Sequence, residues 1–480
     1  MVCLGPRALR RNCATHARGA RDARGFVAAY ARAAKGSVLE AVEVSEMSDL
    51  SSARLRLGHL RVTSVERTML YIPSTPRVRQ WNDILVAGWG LIELIRVHTN
   101  AEGVVGVGET LVDYTWARVD ERSIARVVGS NPIQHLSDDS LGAGLQMALY
   151  DAVGKATGVP MSSLLSYPKV KDSVSIAWWN TKMPPEVLAE EAKEAVRAGY
   201  RAHKFKARPF FDVFDQVQTI SDVTPDGYLI DLDWNGMLRT PAEAFAVLER
   251  LDAFDKIGLY ESPIRQDDMI GHASLRGRVS KPLAEHYRAD LIPMWMRDDS
   301  LDSFVVFGEG ASGLQRQATV ATAFNKTFWL QVVGTGLTSA FALHLSSVLT
   351  HATWPLVTAM NTLEDDLIVD AIEIVRGEAT VPTMPGLGVD LDEDAVARYT
   401  VDDDFRVPLS RRILQVDLPG RGTRIYRDIA QLWEDCRVNR NIPVQAPGAR
   451  LSVWQDDESA EFQETFARLA RAPRWLGHEG

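Results

Sequence analysis

His203-Lys204-Phe205-Lys206 and Leu229-Ile230-Asp231-Leu232-Asp233 are short apolar segments that end in charged side chains, and similar segments follow along the chain. We predict eight strands in series, at Val174 to Trp178, His203 to Ala207, Tyr228 to Asp233, Gly258 to Glu261, Pro282 to His286, Phe304 to Phe307, Trp329 to Val333 and Leu356 to Met360. Each strand is followed by room for a helix, as parallel strands require, and the pattern is typical of a (β/α)8 barrel. A doubly wound open sheet has the same local pattern, although no G-x-G-x-x-G motif follows the early strands.

The chain before this region has the pattern of a smaller α+β domain. Leu60 to Val65 largely alternates, and Gly90 to Val97 is rich in β-forming residues. After the turn at Asn100 to Gly103, Val104 to Glu109 is interpreted as the returning strand of a hairpin. We therefore predict an α+β domain over residues 47–165 and the barrel over residues 166–395.

The two ends of the chain differ from these domains. Residues 1–46 are rich in arginine, alanine and glycine, which predicts a disordered leader or a true start at Met47. Residues 396–480 are polar, with strand and helix fragments, and are interpreted as a C-terminal extension of unknown role.

The composition favours a soluble, cytoplasmic protein that acts on small metabolites. The formal charge is −10, with 46% hydrophobic and 24% charged residues. An acidic chain without clustered basic residues is not expected to bind nucleic acid or an anionic membrane. The three cysteines have no CxxC spacing, so neither a disulfide framework nor a thiolate metal site is predicted.

Two lysines end the second predicted strand. The period of two places Lys204 and Lys206 on the same face, and in a barrel that face points into the mouth. Two neighbouring ammonium groups lower each other's pKa, which prepares a lysine to act as a base. An exposed basic strand end is the alternative.

Carboxylates end the next three predicted strands, at Asp233, Glu261 and Glu285. Because the carboxyl ends of barrel strands meet at one mouth, we expect an oxygen-rich cluster there, which suits Mg²⁺. Taken alone, each acid would more often be an N-cap or a surface residue than a metal ligand. Their joint spacing favours the metal site.

Several motifs occur in a fixed order between Leu60 and Tyr399. They are Ala148-Leu149-Tyr150-Asp151 to Gly158-Val159-Pro160, Lys204-x-Lys206, Asp233-x-Asn235, Tyr260-Glu261-Ser262-Pro263 and Met384-Pro385-Gly386-Leu387-Gly388 to Asp392. As a set they resemble the mandelate racemase and muconate lactonizing branch of the enolase superfamily. The resemblance implies an α/β fold, with a modified (β/α) barrel and an N-terminal α+β capping domain, in a homo-oligomer.

The resemblance also implies roles for the charged residues. Asp233, Glu261 and Glu285 would bind Mg²⁺, with Asn235 beside them on the substrate side. Lys206 would be the base, and Lys204 would help to hold the carboxylate of a small-molecule substrate. A proton α to a carboxylate is weakly acidic, so its removal needs a metal and cations around the enolate.

The chain departs from the family pattern at two places. The fifth strand ends Ala284-Glu285-His286-Tyr287; we choose Glu285 as the third ligand, with His286 as the alternative ligand or as a second acid or base. The sixth and seventh strands carry neither the lysine nor the His-Asp pair of relatives. Glu309, after the sixth strand, is a candidate acid at the substrate, or else a loop carboxylate.

With one lysine base, the sequence favours a dehydratase-like lyase that acts on a hydroxy or sugar acid. A racemase, epimerase or cycloisomerase is the alternative within the family. A catalytically weakened barrel that only binds a ligand is the alternative from another class.

Overall fold

The computed structural model describes residues 57–114 and 118–476. The leader predicted at residues 1–46 lies outside these ranges. From Leu57 onward the described residues pack as one unit, which contains an N-terminal α+β domain, a parallel barrel and a C-terminal module. None of the helices in the described ranges is both long enough and apolar enough to cross a membrane.

The N-terminal domain is a three-stranded antiparallel sheet covered by a long helix. Its strands are β1 (Val62–Tyr71), β2 (Leu91–Thr99) and β3 (Val105–Leu111), and its helices are α1 (Arg79–Leu85), α2 (Glu121–Val127) and α3 (Ala143–Thr157). The predicted hairpin is confirmed, because β2 and β3 are antiparallel neighbours. A Cβ on Gly106 would lie 2.0 Å from the carbonyl oxygen of Ala148, and one on Gly108 would lie 2.2 Å from that of Gly144. The two glycines therefore let α3 pack directly on the sheet.

Seven parallel strands form the barrel wall, and their order in the sheet is their order in the chain. After a short strand β4 (Ser173–Ser175), the wall strands are β5 (Trp178–Asn180), β6 (Ala202–Lys206), β7 (Leu229–Asp233), β8 (Ile257–Glu261), β9 (Leu283–His286), β10 (Ser303–Phe307) and β11 (Thr327–Gln331). The helices that alternate with them are α4 (Pro185–Arg197), α5 (Val213–Val223), α6 (Pro241–Leu251), α7 (Met269–Arg276), α8 (Ile292–Arg297), α9 (Ala311–Ala323) and α10 (Gly336–Ser347). The predicted modified (β/α) barrel with an N-terminal α+β domain is confirmed.

The first and eighth predicted strands need correction. Val174 to Trp178 is divided between β4, which pairs antiparallel with a later strand, and β5. Leu356 to Met360 forms no continuous strand: Leu356 and Val357 make single parallel bridges to Ile176 and Gln331. The segment cannot continue because Ala359 adopts a left-handed φ of 57° and a 3-10 helix begins at Met360. The two bridges close the wall between β11 and the first strand.

The Pro-Gly-Leu-Gly motif joins the barrel to the N-terminal domain. It follows β12 (Ile374–Val375) and β13 (Glu378–Thr380) and precedes α11 (Glu393–Tyr399). The buried carboxylate of Asp151 accepts hydrogen bonds from the backbone N–H groups of Val107 and Leu387, each at 2.8 Å. The motif that carried the family resemblance is thus part of the packing between the domains.

The C-terminal extension is a folded module. Its strands are β14 (Arg412–Leu418), β15 (Gly422–Tyr426), β16 (Arg450–Gln455) and β17 (Arg474–Trp475), and its helices are α12 (Ile429–Arg437) and α13 (Ala460–Leu469). The sheet is antiparallel, in the order β16-β14-β15-β17. The Asp212 backbone N–H donates to the Ala449 carbonyl at 3.1 Å, and Gly448 N–H donates to the Asp212 carboxylate at 2.8 Å. The module is therefore docked on the loop that follows β6.

Candidate active site at the barrel mouth

Three charged side chains end neighbouring strands at one level of the barrel. Lys206 of β6, Asp233 of β7 and Glu261 of β8 are successive partners in the sheet register. Lys204 and Asp231 are partners two residues earlier, and the period of two puts them on the same face, one layer deeper. The structure thus brings Lys204, Lys206, Asp233 and Glu261 together.

Each of the two lysines has its own carboxylate partner. Lys206 donates to Asp233, and the fully buried Lys204 donates to Glu261. Lys204 also donates to Gln331 Oε1 at 2.7 Å. Burial acts to lower the pKa of Lys204, but the attraction of Glu261, Asp231 and Asp233 outweighs it and raises the pKa. The expectation that the neighbouring ammonium groups lower each other's pKa is therefore wrong for Lys204, which stays a cation.

The two aspartates of β7 differ in charge. Burial acts to raise the pKa of Asp233, but Lys206, Lys204 and Arg208 outweigh it and hold the pKa below its usual range. Burial raises the pKa of Asp231 well above its usual range, and Asp231 Oδ1 has no hydrogen-bond partner among the described residues. The negative charge of this strand is therefore concentrated on Asp233, at the barrel mouth.

At the end of β9 the structure corrects the choice of third metal ligand. The Glu285 carboxylate is buried against α7, where it contacts His272 Nε2 at 2.9 Å and accepts from the Ser262 hydroxyl at 2.7 Å. His286, the next residue, has its Nε2 3.1 Å from Glu261 Oε1. Because successive strand residues point to opposite faces, only His286 reaches the mouth. Asp233, Glu261 and His286 each offer a ligand atom, and these atoms lie within 4.8 Å of one another.

Asn235 lies beside this cluster but its amide is already engaged. Its backbone N–H donates to Asp233 Oδ1 at 2.9 Å, and its Oδ1 accepts from Arg208 Nη2 at 2.5 Å. The fully buried Arg208 also donates to the Asp233 carbonyl at 2.8 Å. Arg208 therefore holds the loop after β7 in place.

Glu309 is not brought to the cluster. Its carboxylate is 3.4 Å from Arg316 Nη2, and its side chain is 47% exposed. Arg316 also contacts Asp139 of the N-terminal domain, at 3.1 Å. This geometry favours the alternative of a loop carboxylate for Glu309.

The wall opposite Lys206 carries aromatic and amide groups. β10 ends at Phe307 and β11 at Gln331, whose Nε2 donates to the Tyr114 hydroxyl at 3.3 Å. The Trp89 ring lies 4.6 Å from that of Tyr114 and 4.8 Å from that of Trp179. The N-terminal domain thus covers this side of the mouth with aromatic side chains.

Comparison with known proteins agrees with this arrangement. Residues 187–395 match the family described as "Enolase C-terminal domain-like". This part of the chain, from α4 of the barrel to the start of α11, is therefore an enolase C-terminal domain-like region. Arabinonate dehydratase of Saccharolobus solfataricus is 24% identical over 305 residues, which are 61% of this chain and 79% of that protein. o-Succinylbenzoate synthase of Geobacillus kaustophilus is 26% identical over 341 residues, which are 66% of this chain and 85% of that protein.

Solved structures of enolase-superfamily proteins share the fold. The crystal structure of 2-chloromuconate cycloisomerase from Rhodococcus opacus 1CP superimposes with a TM-score of 0.58 at 22% identity, and covers 71% of this chain and 99% of that one. A mandelate racemase/muconate lactonizing family protein from Azoarcus sp. EbN1 has the same TM-score at 23% identity, and covers 72% of this chain and 98% of that one. The family match ends at residue 395, before the first strand of the C-terminal module.

Sequence reasoning missed several residues of this barrel mouth. Arg208 follows the Lys204-x-Lys206 motif by two residues. Gln331 ends β11, which begins and ends two residues before the predicted strand, and the fully buried Lys182 lies four residues after the predicted end of the first strand. Because the predicted ends of these two strands were displaced, a search at strand ends did not reach Gln331 or Lys182, and the contacts of Arg208 are visible only in the structure.

Proposed function

We propose that this protein is a metal-dependent enzyme that removes the proton α to a carboxylate, and that it acts as a dehydratase-like lyase on a hydroxy or sugar acid. The observation that supports this most is the cluster of Lys206, Asp233, Glu261 and His286, with Lys204 beneath it. It combines a base, an anionic donor set and a fixed cation within one mouth.

Asp233, Glu261 and His286 are the proposed metal ligands. Two buried carboxylates and an imidazole nitrogen within 4.8 Å fit a divalent cation. The family leads us to expect Mg²⁺, and the nitrogen donor adds affinity for softer ions such as Mn²⁺ or Co²⁺. When bound, the cation supplies positive charge that stabilises the negative charge developing on the substrate carboxylate.

The two lysines have different proposed roles because their surroundings differ. Lys204 is fully buried, but the neighbouring carboxylates of Glu261 and Asp233 outweigh burial and raise its pKa, so it remains an ammonium that holds the substrate carboxylate. The Lys206 side chain is 12% exposed and reaches the mouth. This position at the mouth, next to the proposed metal ligand Asp233, makes Lys206 the proposed base.

Proton removal from one side favours elimination over racemisation. Racemisation needs a second base on the opposite face of the substrate, where β10 and β11 end in Phe307 and Gln331. Elimination of water needs one base for the α-proton and one proton donor for the β-hydroxyl. The proton that Lys206 takes from Cα can return to the departing hydroxyl, so that the Cα–H and Cβ–O bonds break, the Cα=Cβ bond forms and water leaves. The relative named as arabinonate dehydratase supports a sugar acid as substrate.

The test is exchange of the substrate α-proton in D₂O, followed by mass spectrometry over a library of hydroxy and sugar acids with Mg²⁺ or Mn²⁺. We expect deuterium uptake or loss of water with at least one acid in the wild type. Lys206→Ala should lower the rate by about 10²- to 10⁴-fold, the usual contribution of a general base.

Lys193→Ala is the matched control, because Lys193 pairs with Glu190 on the exposed face of α4. It should retain the wild-type rate. A metal-loaded wild type that neither exchanges nor dehydrates any acid would instead support a ligand-binding barrel. Exchange that survives in Lys206→Ala would remove Lys206 from the role of base.

A further inference from the structure

Lys182 is a buried lysine whose amine has no hydrogen-bond partner in the described part of the chain. It follows β5, and its side chain is fully buried. Burying an ammonium without a countercharge is costly. A side chain in this position needs either the neutral form or an anion that the protein itself does not supply.

The charged groups that act on Lys182 are also cations. Burial lowers the pKa of Lys182 well below its usual value, and Arg208, Lys206 and Arg412 lower it further by repulsion. Of these, only Lys206 has a carboxylate partner among the described residues. Basic side chains therefore surround Lys182, and an anion bound beside it would favour its charged form.

The two arginines of this group bond mainly to neutral oxygens. Arg208 donates to the carbonyls of Ala207 and Asp233 and to Asn235 Oδ1, and its Nε has no partner in the described ranges. Arg412, which is 8% exposed, donates from Nε to the Ser410 carbonyl at 3.1 Å. Asp83 of α1 attracts Arg412 electrostatically, but the two make no direct ion pair in the described structure. Both guanidinium groups retain N–H donors for an anion.

The C-terminal module supplies one member of this group, Arg412, and contacts the loops around Arg208. Arg412 begins β14, the Trp433 ring lies 6.0 Å from the Arg208 guanidinium, and Arg437 donates to the Asn235 carbonyl at 2.7 Å. A cleft of about 900 Å³ runs between α12 and the barrel loops, and its lining includes Asn235, His286, Trp433, Arg437 and Arg440. The module thus borders the same mouth as the candidate metal ligand His286.

We propose that the C-terminal module completes the active site and that Lys182, Arg208 and Arg412 bind a second anionic group of the substrate. This inference rests on the proposed function, because the first anionic group is the carboxylate held beside Lys204 and the metal ligands. The substrate class is then an acid with a negative charge at both ends, either a dicarboxylic sugar acid or a sugar acid phosphate.

The test uses sets of acids that differ only at the far end: D-gluconate, D-glucarate and D-gluconate 6-phosphate, with the corresponding galacto and manno sets. Their affinities for the full-length protein with Mn²⁺ are measured by calorimetry. In at least one set the dianion should bind more tightly than the monoacid. Lys182→Met should lower the affinity for that dianion by about 30-fold or more, as loss of one partner of a buried charge pair does. The affinity for the monoacid should not change.

Lys171→Met is the matched control. Lys171 is also largely buried and burial lowers its pKa to about 8, but it donates to the Ala352 carbonyl away from the mouth. It should keep the dianion affinity. Lys182→Met should remain folded, because it replaces an unpartnered amine by an apolar side chain of similar length; Arg412→Gln is the second variant, with the same expected loss.

A substrate-independent measurement uses inorganic sulfate at constant ionic strength. Sulfate should raise the melting temperature of the wild type more than that of Lys182→Met. An equal rise in both proteins, or equal affinities for monoacid and dianion, would overturn the second anion site. Exchange of the α-proton with monoacids alone would also overturn it and leave the proposed function standing.

Discussion

His286 and Glu285 are adjacent in the chain, and the structure turns them to opposite faces of β9, so two substitutions separate their proposed roles. His286 faces Glu261 at the mouth, whereas Glu285 faces His272 in the layer between β9 and α7. His286→Ala should therefore weaken metal binding with little effect on stability. Glu285→Gln should do the reverse.

The expected magnitudes follow from what each side chain contacts. His286→Ala removes one of the three proposed ligand atoms. Loss of a residue that only supports a metal ligand already lowers metal affinity by about 10- to 100-fold, so we expect the metal affinity of this variant to fall by about 100-fold or more. Burial acts to lower the pKa of His272, but its hydrogen bond and attraction to Glu285 outweigh this and raise it. Glu285→Gln removes the countercharge of a fully buried pair, so the free energy of unfolding should fall by about 3 kcal/mol.

The assays are calorimetric titration with Mg²⁺ and Mn²⁺, the visible absorption of bound Co²⁺, and urea denaturation without metal. In the wild type the Co²⁺ spectrum should show a nitrogen ligand that His286→Glu removes, and this variant should gain Mg²⁺ affinity relative to Co²⁺. If Glu285→Gln lost the metal and His286→Ala kept it, the assignment of faces at the end of β9 would be refuted.

Three further predictions concern packing and pH, each measured by urea denaturation. Glu109→Gln should lower the free energy of unfolding by about 2 to 4 kcal/mol, because the buried Glu109 carboxylate accepts from Thr335 N–H and hydroxyl, each at 2.7 Å, at the start of α10. Gly386→Ala should cost about 3 kcal/mol, since its φ is 75° and a Cβ would lie 2.1 Å from Asp151 Oδ1; an unchanged midpoint would contradict this. Burial lowers the pKa of His344 in the folded protein to about 4, whereas a histidine in the unfolded chain has a pKa of about 6.5. Because the unfolded chain therefore takes up a proton at higher pH, the free energy of unfolding should fall by about 3 kcal/mol as pH decreases from about 6.5 to 4. The His344→Gln variant should lose this part of the pH dependence, and an unchanged slope would exclude His344 as its source.

The middle of the barrel was predictable because its strands carry their own signals. β6, β7, β8 and β10 lie within one residue of the predicted ends, since each is a short apolar run that stops at a polar residue or a glycine. The first and eighth strands were not predictable to the same degree. Their pairing depends on how the wall closes, and closure brings together Ile176 and Leu356, which are far apart in sequence.

The face of a residue at the end of a short strand is harder to predict than the strand itself. In Ala284-Glu285-His286 the last two residues are both polar and point to opposite faces of the strand. An error of one residue in the predicted register therefore exchanges the side chain in the mouth for the one behind the wall. At Asp231-Leu232-Asp233 the intervening leucine fixed the phase. The Glu285 carboxylate was preferred over the His286 imidazole because of the family pattern. The side chain that contacts Glu285 is His272 of α7, and no local sequence pattern links that helix to the end of β9.

The proposed contribution of the C-terminal module to the active site could not be predicted from the sequence, because a polar composition does not indicate which of its residues face the barrel. Arg412 and Arg437 resemble any surface arginines in the chain, and only the fold places them beside Lys182, Arg208 and Asn235. In the proposed function the metal ligands and the base set the reaction, whereas the proposed second anion site selects the other end of the substrate. A module added after the family domain can therefore alter specificity without altering the residues at the ends of β6, β7 and β8. On this reasoning, changes in Arg412 should alter which acids bind and leave metal affinity at the wild-type level.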